Sequence, residues 1–392
     1  MLKVQPNQFY TGVGSSTFTS AAAYETLQFH KKIAGYEPTP LISLKNLATR
    51  LGISEILVKD ESKRFGLNAF KVLGGSYALG KLLAKRLNID LLSIDFSTVA
   101  SLLPEPMIFA TATAGNHGTG VAWAAREMGQ QAVVYMPKGS ATSSVERIRS
   151  LGSTCVVTEF NYDDTVRLAS KNASENGWIL VQDTAWEGYE EIPTWISQGY
   201  MTMAAEALMQ LEDAKLSPSH IFLQAGVGAM AGGVLGFYAD ALGANNFSAI
   251  IAEPEAADCL YQSVSSTYGE RVPVTGALDS IMAGLACGEV NLVTWEILRN
   301  CSRFFLKTTD AVSATGMRVL GAPLTGDNRI ISGPSGAVSL GALYALMNAS
   351  DGDIAAYRQE MKLNAQSVVL LFSTEGDTNP DLYRRIVWDG EY

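Results

Sequence analysis

Histidine and cysteine are the scarcest chemically versatile residues in this chain of 392 residues. They are His30, His117, His220, Cys155, Cys259, Cys287 and Cys301. None of them shows the close spacing of zinc ligands, so the sequence predicts no metal site. In a cytosolic protein such cysteines are most simply buried thiols. A redox-sensitive pairing of Cys259 with Cys287 is the alternative, if the segment between them loops back.

The chain also lacks an excess of basic residues and any long apolar run. Its formal net charge is -10, which leaves no basic stripe, so no nucleic-acid partner is predicted. A phosphate-bearing ligand remains compatible with this charge, because backbone N–H groups bind phosphate without lysine. The first residues hold no apolar signal segment, and no apolar run approaches membrane-spanning length. We therefore expect a soluble, cytoplasmic protein with no membrane partner.

What the chain has is apolar content and a regular alternation of short and long segments. Hydrophobic residues make up 47% and charged residues 17%, which fits a large enzyme core of two or three domains, or of two lobes that share a cleft. Strands are predicted at 55–59, 107–111, 132–136, 155–158, 179–182, 221–223, 249–252 and 368–372. Helices are predicted at 72–85, 117–128, 144–151, 163–176, 193–211, 230–242 and 335–347. Such alternation predicts an α/β fold with mostly parallel sheets flanked by helices, and ligands at the carboxyl ends of the strands.

The stretch from residue 256 to residue 326 is the least regular part of the sequence. It contains Val272-Pro273-Val274-Thr275-Gly276 and Gly284-Leu285-Ala286-Cys287-Gly288. We expect long loops and short helices there, which shape or cover the mouth of the site.

Lys71 carries the clearest chemical signal. It follows the predicted strand 55–59 and stands in Asn68-Ala69-Phe70-Lys71-Val72-Leu73-Gly74-Gly75, at the start of a predicted helix. A lysine becomes nucleophilic when burial or nearby cations lower its pKa. Lys71 is therefore well placed to form a Schiff base with a carbonyl cofactor. The ordinary alternative, a lysine whose stem covers apolar surface, does not account for the two glycine motifs downstream.

The first of these motifs is Thr111-Ala112-Thr113-Ala114-Gly115-Asn116-His117-Gly118, which joins a predicted strand to a predicted helix. Backbone amides at a helix N-terminus attract anions, so a carboxylate or a ring oxygen fits here. Asn116 also offers an amide that can donate to a phenolate oxygen. A turn with an N-cap is the structural alternative, and this motif alone does not decide between the two.

The second glycine motif runs from Gln224 to Gly233, again between a strand and a helix. Glycines let the backbone approach a phosphate closely, and successive N–H groups bind it. The motif is not Gly-x-x-x-x-Gly-Lys-Ser, and as a dinucleotide fingerprint it lacks the final glycine. With Lys71 available, a phosphate-bearing aldehyde fits better than a dinucleotide.

Together these motifs resemble those of the fold-type II family of pyridoxal-5′-phosphate enzymes, which includes threonine dehydratase and the tryptophan synthase β chain. Within it the chain is much more similar to the diaminopropionate ammonia-lyases. The resemblance extends from about Phe29 to Trp388. It rests on Lys59 to Ser62, Arg64 to Tyr77, Asn161 to Arg167, Val181 to Tyr189, Ile192 to Trp195, and Ser373 to Thr378.

The resemblance implies a role for each matching position. Lys71 would anchor the cofactor, Asn116 would contact its ring hydroxyl, and a hydroxyl of Ser373 or Thr374 would face the pyridine nitrogen. The phosphate would lie in the cradle that begins with Gly226, Val227, Gly228, Ala229 and Met230. The substrate would be bound by Thr113, Gly115, His117 and Asp183. A neutral hydroxyl beside the ring nitrogen favours elimination over transamination.

Ala114 departs from the family pattern, which has Thr-Asp-Gly-Asn-His-Gly where this chain has Thr113-Ala114-Gly115-Asn116-His117-Gly118. The resemblance assigns the family's aspartate to proton removal from the D-isomer of the substrate. A methyl group accepts no proton. A natural variant and an engineered substitution explain Ala114 equally well. Asp183 is the other carboxylate that the resemblance places at the site, with a strand-end cap as its structural alternative.

The function that follows is α,β-elimination of 2,3-diaminopropionate to pyruvate and ammonia by a pyridoxal-phosphate-dependent lyase, impaired above all for the D-isomer. The resemblance also implies a homodimer. We expect a large cofactor-binding domain from residues 1–83 and 190–392, and a small domain from residues 84–189. Two alternatives stay open: a serine- or threonine-type dehydratase on the same fold, and a pseudoenzyme that binds the cofactor without turnover.

Overall fold

Strands and helices alternate along most of the chain in a computed structural model, which describes residues 2–350 and 352–392. The strands are β1 (Leu2–Pro6), β2 (Leu41–Ser43), β3 (Glu55–Asp60), β4 (Ile108–Ala112), β5 (Gln131–Met136), β6 (Thr154–Val157), β7 (Ile179–Leu180), β8 (His220–Gln224), β9 (Ser248–Pro254), β10 (Ser302–Thr308) and β11 (Val368–Ser373). The α-helices are α1 (Ser20–Lys31), α2 (Lys45–Leu51), α3 (Val72–Leu87), α4 (Asn116–Glu127), α5 (Thr142–Ser150), α6 (Tyr162–Asn176), α7 (Glu191–Gly199), α8 (Met201–Asp213), α9 (Ala229–Tyr238), α10 (Cys259–Ser265), α11 (Trp295–Cys301), α12 (Asp310–Gly321), α13 (Pro334–Asn348), α14 (Gly352–Glu360) and α15 (Pro380–Val387).

The strands form two sheets. The larger has seven strands in the order β1-β10-β9-β8-β11-β3-β2, with only the edge strands β1 and β2 antiparallel to their neighbours. The smaller has four parallel strands in the order β6-β5-β4-β7. The predicted class, an α/β fold with mostly parallel sheets flanked by helices, is confirmed. All strands of the smaller sheet lie within residues 84–189, while the domain boundaries themselves stay a prediction.

The larger sheet is buried on both faces, as β11 illustrates. Successive side chains of a strand point to opposite faces. Leu370 and Phe372 join one apolar cluster, and Val369 and Leu371 join another on the other side. A strand covered on both faces has a continuous apolar sequence rather than an alternating one, and this is why β11 is readable from the sequence.

The topology brings the predicted motifs to one place. Strands β8, β11 and β3 are neighbours in the larger sheet and run parallel. Lys71 follows β3, the second glycine motif follows β8, and Thr374 follows β11 directly. In open parallel sheets the carboxyl ends of the strands hold the ligand site. The motif with Asn116 follows β4 of the smaller sheet and faces the same region.

Helix α3, which begins directly after Lys71, packs closely against two neighbouring helices. A Cβ at Gly199 of α7 would lie 2.5 Å from Leu73 O, and one at Gly120 of α4 would lie 2.8 Å from Val72 N. Real Cβ atoms do not approach a backbone so closely, so only glycine fits at either position. Because Gly199 and Gly120 have no side chains, α7 and α4 can lie directly against the start of α3, next to Lys71.

Three strands and seven helices of the structure were not predicted, and one predicted helix is divided into two. The seven helices are α1, α2, α10, α11, α12, α14 and α15. β1, β2 and β10 were not predicted, because β1 and β2 are short edge strands and the apolar part of β10 is only Phe304 to Leu306. Long loops and short helices were predicted for 256–326. The structure has such a loop at 266–294 and the short helices α10 and α11, but the stretch also contains strand β10 and the longer helix α12, which were not predicted. The single helix predicted at 193–211 is wrong, because α7 ends at Gly199 and α8 begins at Met201. Among the helices of the described residues, none combines the length and the apolar character needed to cross a bilayer.

Candidate active site

The predicted site residues line a cavity of about 1050 Å³ at the carboxyl ends of the strands. Those in its wall are Lys71, Thr113, Ala114, Gly115, Asn116, His117, Asp183, Gly226, Val227, Gly228, Ala229, Met230 and Thr374. Ser373 is the exception: its side chain is fully buried, and its hydroxyl donates to Ser332 Oγ at 2.8 Å. Of the two hydroxyls predicted for the ring nitrogen, the structure brings only that of Thr374 into the cavity wall.

Lys71 and Asp183 form an ion pair in this wall. The distance from Lys71 Nζ to Asp183 Oδ2 is 2.5 Å. Burial alone would lower the pKa of Lys71, but the charge of Asp183 outweighs it and the pKa is raised. For Asp183, burial would raise the pKa, but Lys71 holds it below its usual range. The expectation that surroundings lower the pKa of Lys71 is therefore wrong for this state of the chain, because the sequence does not reveal which residue faces the lysine.

His117 lies beside this pair as a neutral imidazole. Its Nε2 is 2.9 Å from Val181 O, and since a carbonyl only accepts, Nε2 carries the proton. Its Nδ1 is therefore an acceptor, 3.8 Å from Asp183 Oδ2. Burial lowers the pKa of His117, which keeps the ring uncharged at neutral pH.

Asn116 is held by Glu375, a residue that the sequence analysis quoted in a motif but gave no role. Asn116 Nδ2 donates to Glu375 Oε2 at 2.6 Å, and Ser335 N–H donates to Glu375 Oε1 at 3.0 Å. Burial raises the pKa of the Glu375 carboxyl. An acidic residue at the end of a buried strand, directly after two candidate site residues, is a signal that could have identified it.

The second glycine motif forms an open cradle at the start of α9. Gly228 has φ +95°, and a Cβ there would lie 2.7 Å from Leu298 Cδ1. A Cβ at Gly226 would lie 3.1 Å from Leu285 Cα. The glycines therefore expose backbone N–H groups at a helix N-terminus, where an anion such as phosphate is stabilised.

Thr374 is oriented by a buried glutamine. Gln224 Nε2 donates to Thr374 Oγ1 at 2.8 Å, and Ser339 Oγ donates to Gln224 Oε1 at 3.0 Å. The threonine oxygen thus accepts from Gln224, which directs its own proton elsewhere. The sequence analysis gave neither residue a role: Gln224 was only the first residue of the second glycine motif, and Ser339 lay inside a predicted helix.

These groups fit pyridoxal phosphate as a set. The cradle from Gly226 to Met230 suits a phosphate, Lys71 suits an aldehyde, and Asn116 and Thr374 suit a hydroxylated pyridine ring. Among the side chains that the structure describes, no cluster of metal-ligating groups occurs.

The cysteines are thiols in this structure, so the predicted alternative of a Cys259–Cys287 pair is not formed here. Cys287 lies in the cavity wall. Cys259 is fully buried, and burial together with the nearby charges of Glu253 and Cys287 raises the pKa of its thiol.

Comparison with known proteins places the chain in a family. Residues 33–359 match the family model described as "Pyridoxal-phosphate dependent enzyme". Diaminopropionate ammonia-lyase from Escherichia coli (strain K12) is 52% identical over 391 residues, which cover 100% of this chain and 97% of that protein.

Two solved structures of the Escherichia coli protein match throughout. Its complex with D-serine has a TM-score of 0.95 and 51% identity, and covers 100% of this chain and 98% of the other. Its complex with an aminoacrylate–PLP azomethine reaction intermediate has a TM-score of 0.93, with the same identity and coverage. The chain belongs to the pyridoxal-phosphate-dependent enzymes, and among them to the diaminopropionate ammonia-lyases.

Proposed function

We propose that this chain is a pyridoxal-phosphate-dependent lyase that converts 2,3-diaminopropionate and water to pyruvate and ammonia by α,β-elimination. The observation that carries the proposal is 52% identity over the full chain to an enzyme of this name. The cavity adds a consistent set of groups: a lysine, an anion cradle, an amide and a hydroxyl.

Lys71, the cradle and Asn116 each have a task in this reaction. Pyridoxal phosphate, when bound, condenses with the substrate amine and takes up the electron pair that remains when the Cα proton leaves. Lys71, released as a neutral amine, accepts the Cα proton of the L-isomer. The N–H groups of the cradle hold the phosphate, and Asn116 orients the ring oxygen.

The β-amine must receive a proton before it leaves, because an amide-like anion is too unstable in water. A positioned acid contributes roughly 10²- to 10⁴-fold to such a step. Lys71, once protonated at Nζ, is the acid that the cavity offers. The β-nitrogen leaves as ammonia, and hydrolysis of the released aminoacrylate yields pyruvate and a second ammonia.

The test is pyruvate formation from L-diaminopropionate, D-diaminopropionate, L-serine and L-threonine by the chain loaded with pyridoxal phosphate. We expect the L-isomer of diaminopropionate to be the best substrate. Faster turnover of serine or threonine would favour the dehydratase alternative, and a loaded chain that forms no product would favour the pseudoenzyme.

We also propose that the chain acts in the cytoplasm as a homodimer. The support is the resemblance to the diaminopropionate ammonia-lyases, together with the acidic composition of the chain. Analytical ultracentrifugation at micromolar concentration tests the assembly, for which we expect twice the mass of 42.0 kDa.

A further inference from the structure

Two buried polar atoms without hydrogen-bond partners flank the ion pair of Lys71 and Asp183. Among the described side chains, no partner has hydrogen-bond geometry to His117 Nδ1 or to the Tyr200 hydroxyl, although Lys71 is close enough to the Tyr200 hydroxyl to lower the pKa of the phenol against the effect of burial. Tyr200 is fully buried, and only 4% of His117 is exposed. Buried polar groups are almost always paired, so two unpaired ones beside the reacting amine call for a functional explanation.

The fold brings Tyr200 next to Lys71 by close helix packing. Tyr200 lies at the junction of α7 and α8, and its ring centroid is 4.7 Å from that of Phe70. A Cβ at Gly74 would lie 2.6 Å from Tyr200 Cε1, so the glycine makes room for the ring. Lys71 Nζ is 5.9 Å from the Tyr200 ring centroid. Burial raises the pKa of Tyr200, so the phenol keeps its proton and is a donor.

Both unpaired atoms would gain a hydrogen-bond partner if one proton of the Lys71–Asp183 pair were on Asp183 instead of Lys71. While Lys71 is an ammonium it has no lone pair, and the Tyr200 hydroxyl has nothing to donate to. While Asp183 is a carboxylate it has no proton, and His117 Nδ1 has nothing to accept. If one proton moves from Lys71 Nζ to Asp183 Oδ2, both atoms gain a partner, and the net charge of the pair stays zero.

We propose that Tyr200 and His117 are positioning residues that stabilise the form of the site in which Lys71 has given its proton to Asp183. In that form the Tyr200 hydroxyl donates to the Lys71 amine, and the Asp183 carboxyl donates to His117 Nδ1. His117 Nδ1 and Asp183 Oδ2 are 3.8 Å apart, so the two side chains must move slightly closer to form this hydrogen bond. The catalytic use of this neutral amine rests on the proposed function.

The titratable groups around Lys71 come from several elements. They are Asp183 after β7, Tyr200 between α7 and α8, Cys287 in the loop 266–294, His117 on α4 and Glu375 after β11. Wild type and variant have all of these titratable groups in common, apart from the residue that is substituted. A difference between the two titrations therefore reports the substituted group.

The experiment measures the reactivity of Lys71 in the full chain without cofactor. Trace acetylation between pH 7 and pH 11, followed by peptide mass spectrometry, measures the reactivity of Lys71 relative to the exposed Lys85. We expect Tyr200→Phe to lower this relative reactivity about tenfold, which corresponds to a rise of about one unit in the pKa of Lys71, because a donor to the neutral amine is lost. His117→Leu should shift it in the same direction.

Tyr238→Phe is the matched control. Tyr238 is also fully buried, but its hydroxyl donates to Ala204 O at 3.1 Å. We expect this variant to lower the melting temperature and to leave Lys71 reactivity unchanged. Tyr200→Phe should retain the melting temperature, since it breaks no bond, while the acid limb of kcat/KM for the L-isomer moves up by about one pH unit.

An unchanged or lowered pKa of Lys71 in a folded Tyr200→Phe variant overturns the inference, even if the wild type produces pyruvate. The expected shift in a chain that produces no pyruvate supports the inference and refutes the proposed function instead.

Discussion

Asn116 Nδ2 and Glu375 Oε2 are 2.6 Å apart, and their hydrogen bond joins the segment after β4 of the smaller sheet to the segment after β11 of the larger. A carboxylate only accepts, so the bond fixes which way the Asn116 amide faces. The orientation of a predicted cofactor ligand thus depends on a buried acid from the other sheet.

Replacing Glu375 with glutamine should change how stability depends on pH. Because burial raises the pKa of Glu375, its contribution to stability is present at low pH and is lost as the pH rises above about 4.5 and through the folded-state pKa. Glu375→Gln has no such ionisation. We therefore expect the unfolding free energy of the wild type to fall relative to the variant as the pH rises.

Urea denaturation of the cofactor-free chain at several pH values measures this difference. Glu159→Gln, at an exposed position, is the control and should follow the wild type. Parallel curves for Glu375→Gln and wild type would contradict the assigned ionisation.

Borohydride should attach the cofactor covalently at position 71. The loaded chain is expected to show an absorbance band near roughly 410–420 nm, typical of a protonated Schiff base, which borohydride removes. Peptide mapping should find the label on Lys71. Lys71→Ala should carry none, whereas Lys81→Ala should be labelled like the wild type. A label on any other lysine would refute the assignment of the anchor.

Restoring an acid at position 114 should restore turnover of D-diaminopropionate. Ala114 is exposed in the cavity wall, so an aspartate fits without burial. We expect Ala114→Asp to increase the rate with the D-isomer by roughly 10²- to 10⁴-fold, the usual contribution of a positioned base. The L-isomer should change less.

Ala114→Asn is the matched control, since asparagine has the shape of aspartate without a basic oxygen. Pyruvate release from each isomer measures the effect. Efficient turnover of the D-isomer by the unaltered chain would show that the base lies elsewhere.

Removing the guanidinium of Arg64 should destabilise the fold strongly. Arg64 is 1% exposed and pairs with Glu61 at 2.8 Å and with Glu206 at 2.7 Å. Arg64→Met would remove the positive charge that compensates these two buried carboxylates. We therefore expect the free energy of unfolding to fall by about 3–5 kcal/mol. Urea denaturation at neutral pH measures it.

Arg126→Met provides the comparison, because Arg126 pairs with Glu127 in a partly exposed position. Such a pair is worth about 0–1 kcal/mol. Equal losses in the two variants would mean that burial of the Arg64 cluster has no energetic consequence.

The predictable parts of this molecule are those encoded by nearby residues. Buried strands such as β11 have continuous apolar sequences, and glycine motifs mark the turns that follow them. Strand β10 was missed because Arg303 and Lys307 leave it only a short apolar centre. The sharing of one cavity by Lys71, Asn116 and the cradle followed from the rule for carboxyl ends of parallel strands.

The unpredicted parts depend on contacts between residues distant in sequence. The pKa of Lys71 is set by Asp183, which is 112 positions away. Tyr200 stood inside a predicted helix, and nothing in the local pattern indicates that it lies against the lysine. Glu375 and Asn116 both stood in motifs of the sequence, but nothing in the sequence indicated that the two side chains form a hydrogen bond.

The tight packing of α3 against α7 and α4 has a consequence for how this enzyme can diversify. Gly74, Gly120 and Gly199 have no functional group, yet a single added methyl at any of them would displace α3, the helix that begins directly after Lys71. Ala114, by contrast, is exposed in the cavity wall. Side chains of other sizes therefore fit at position 114, whereas the three glycines leave α3 no tolerance for added volume.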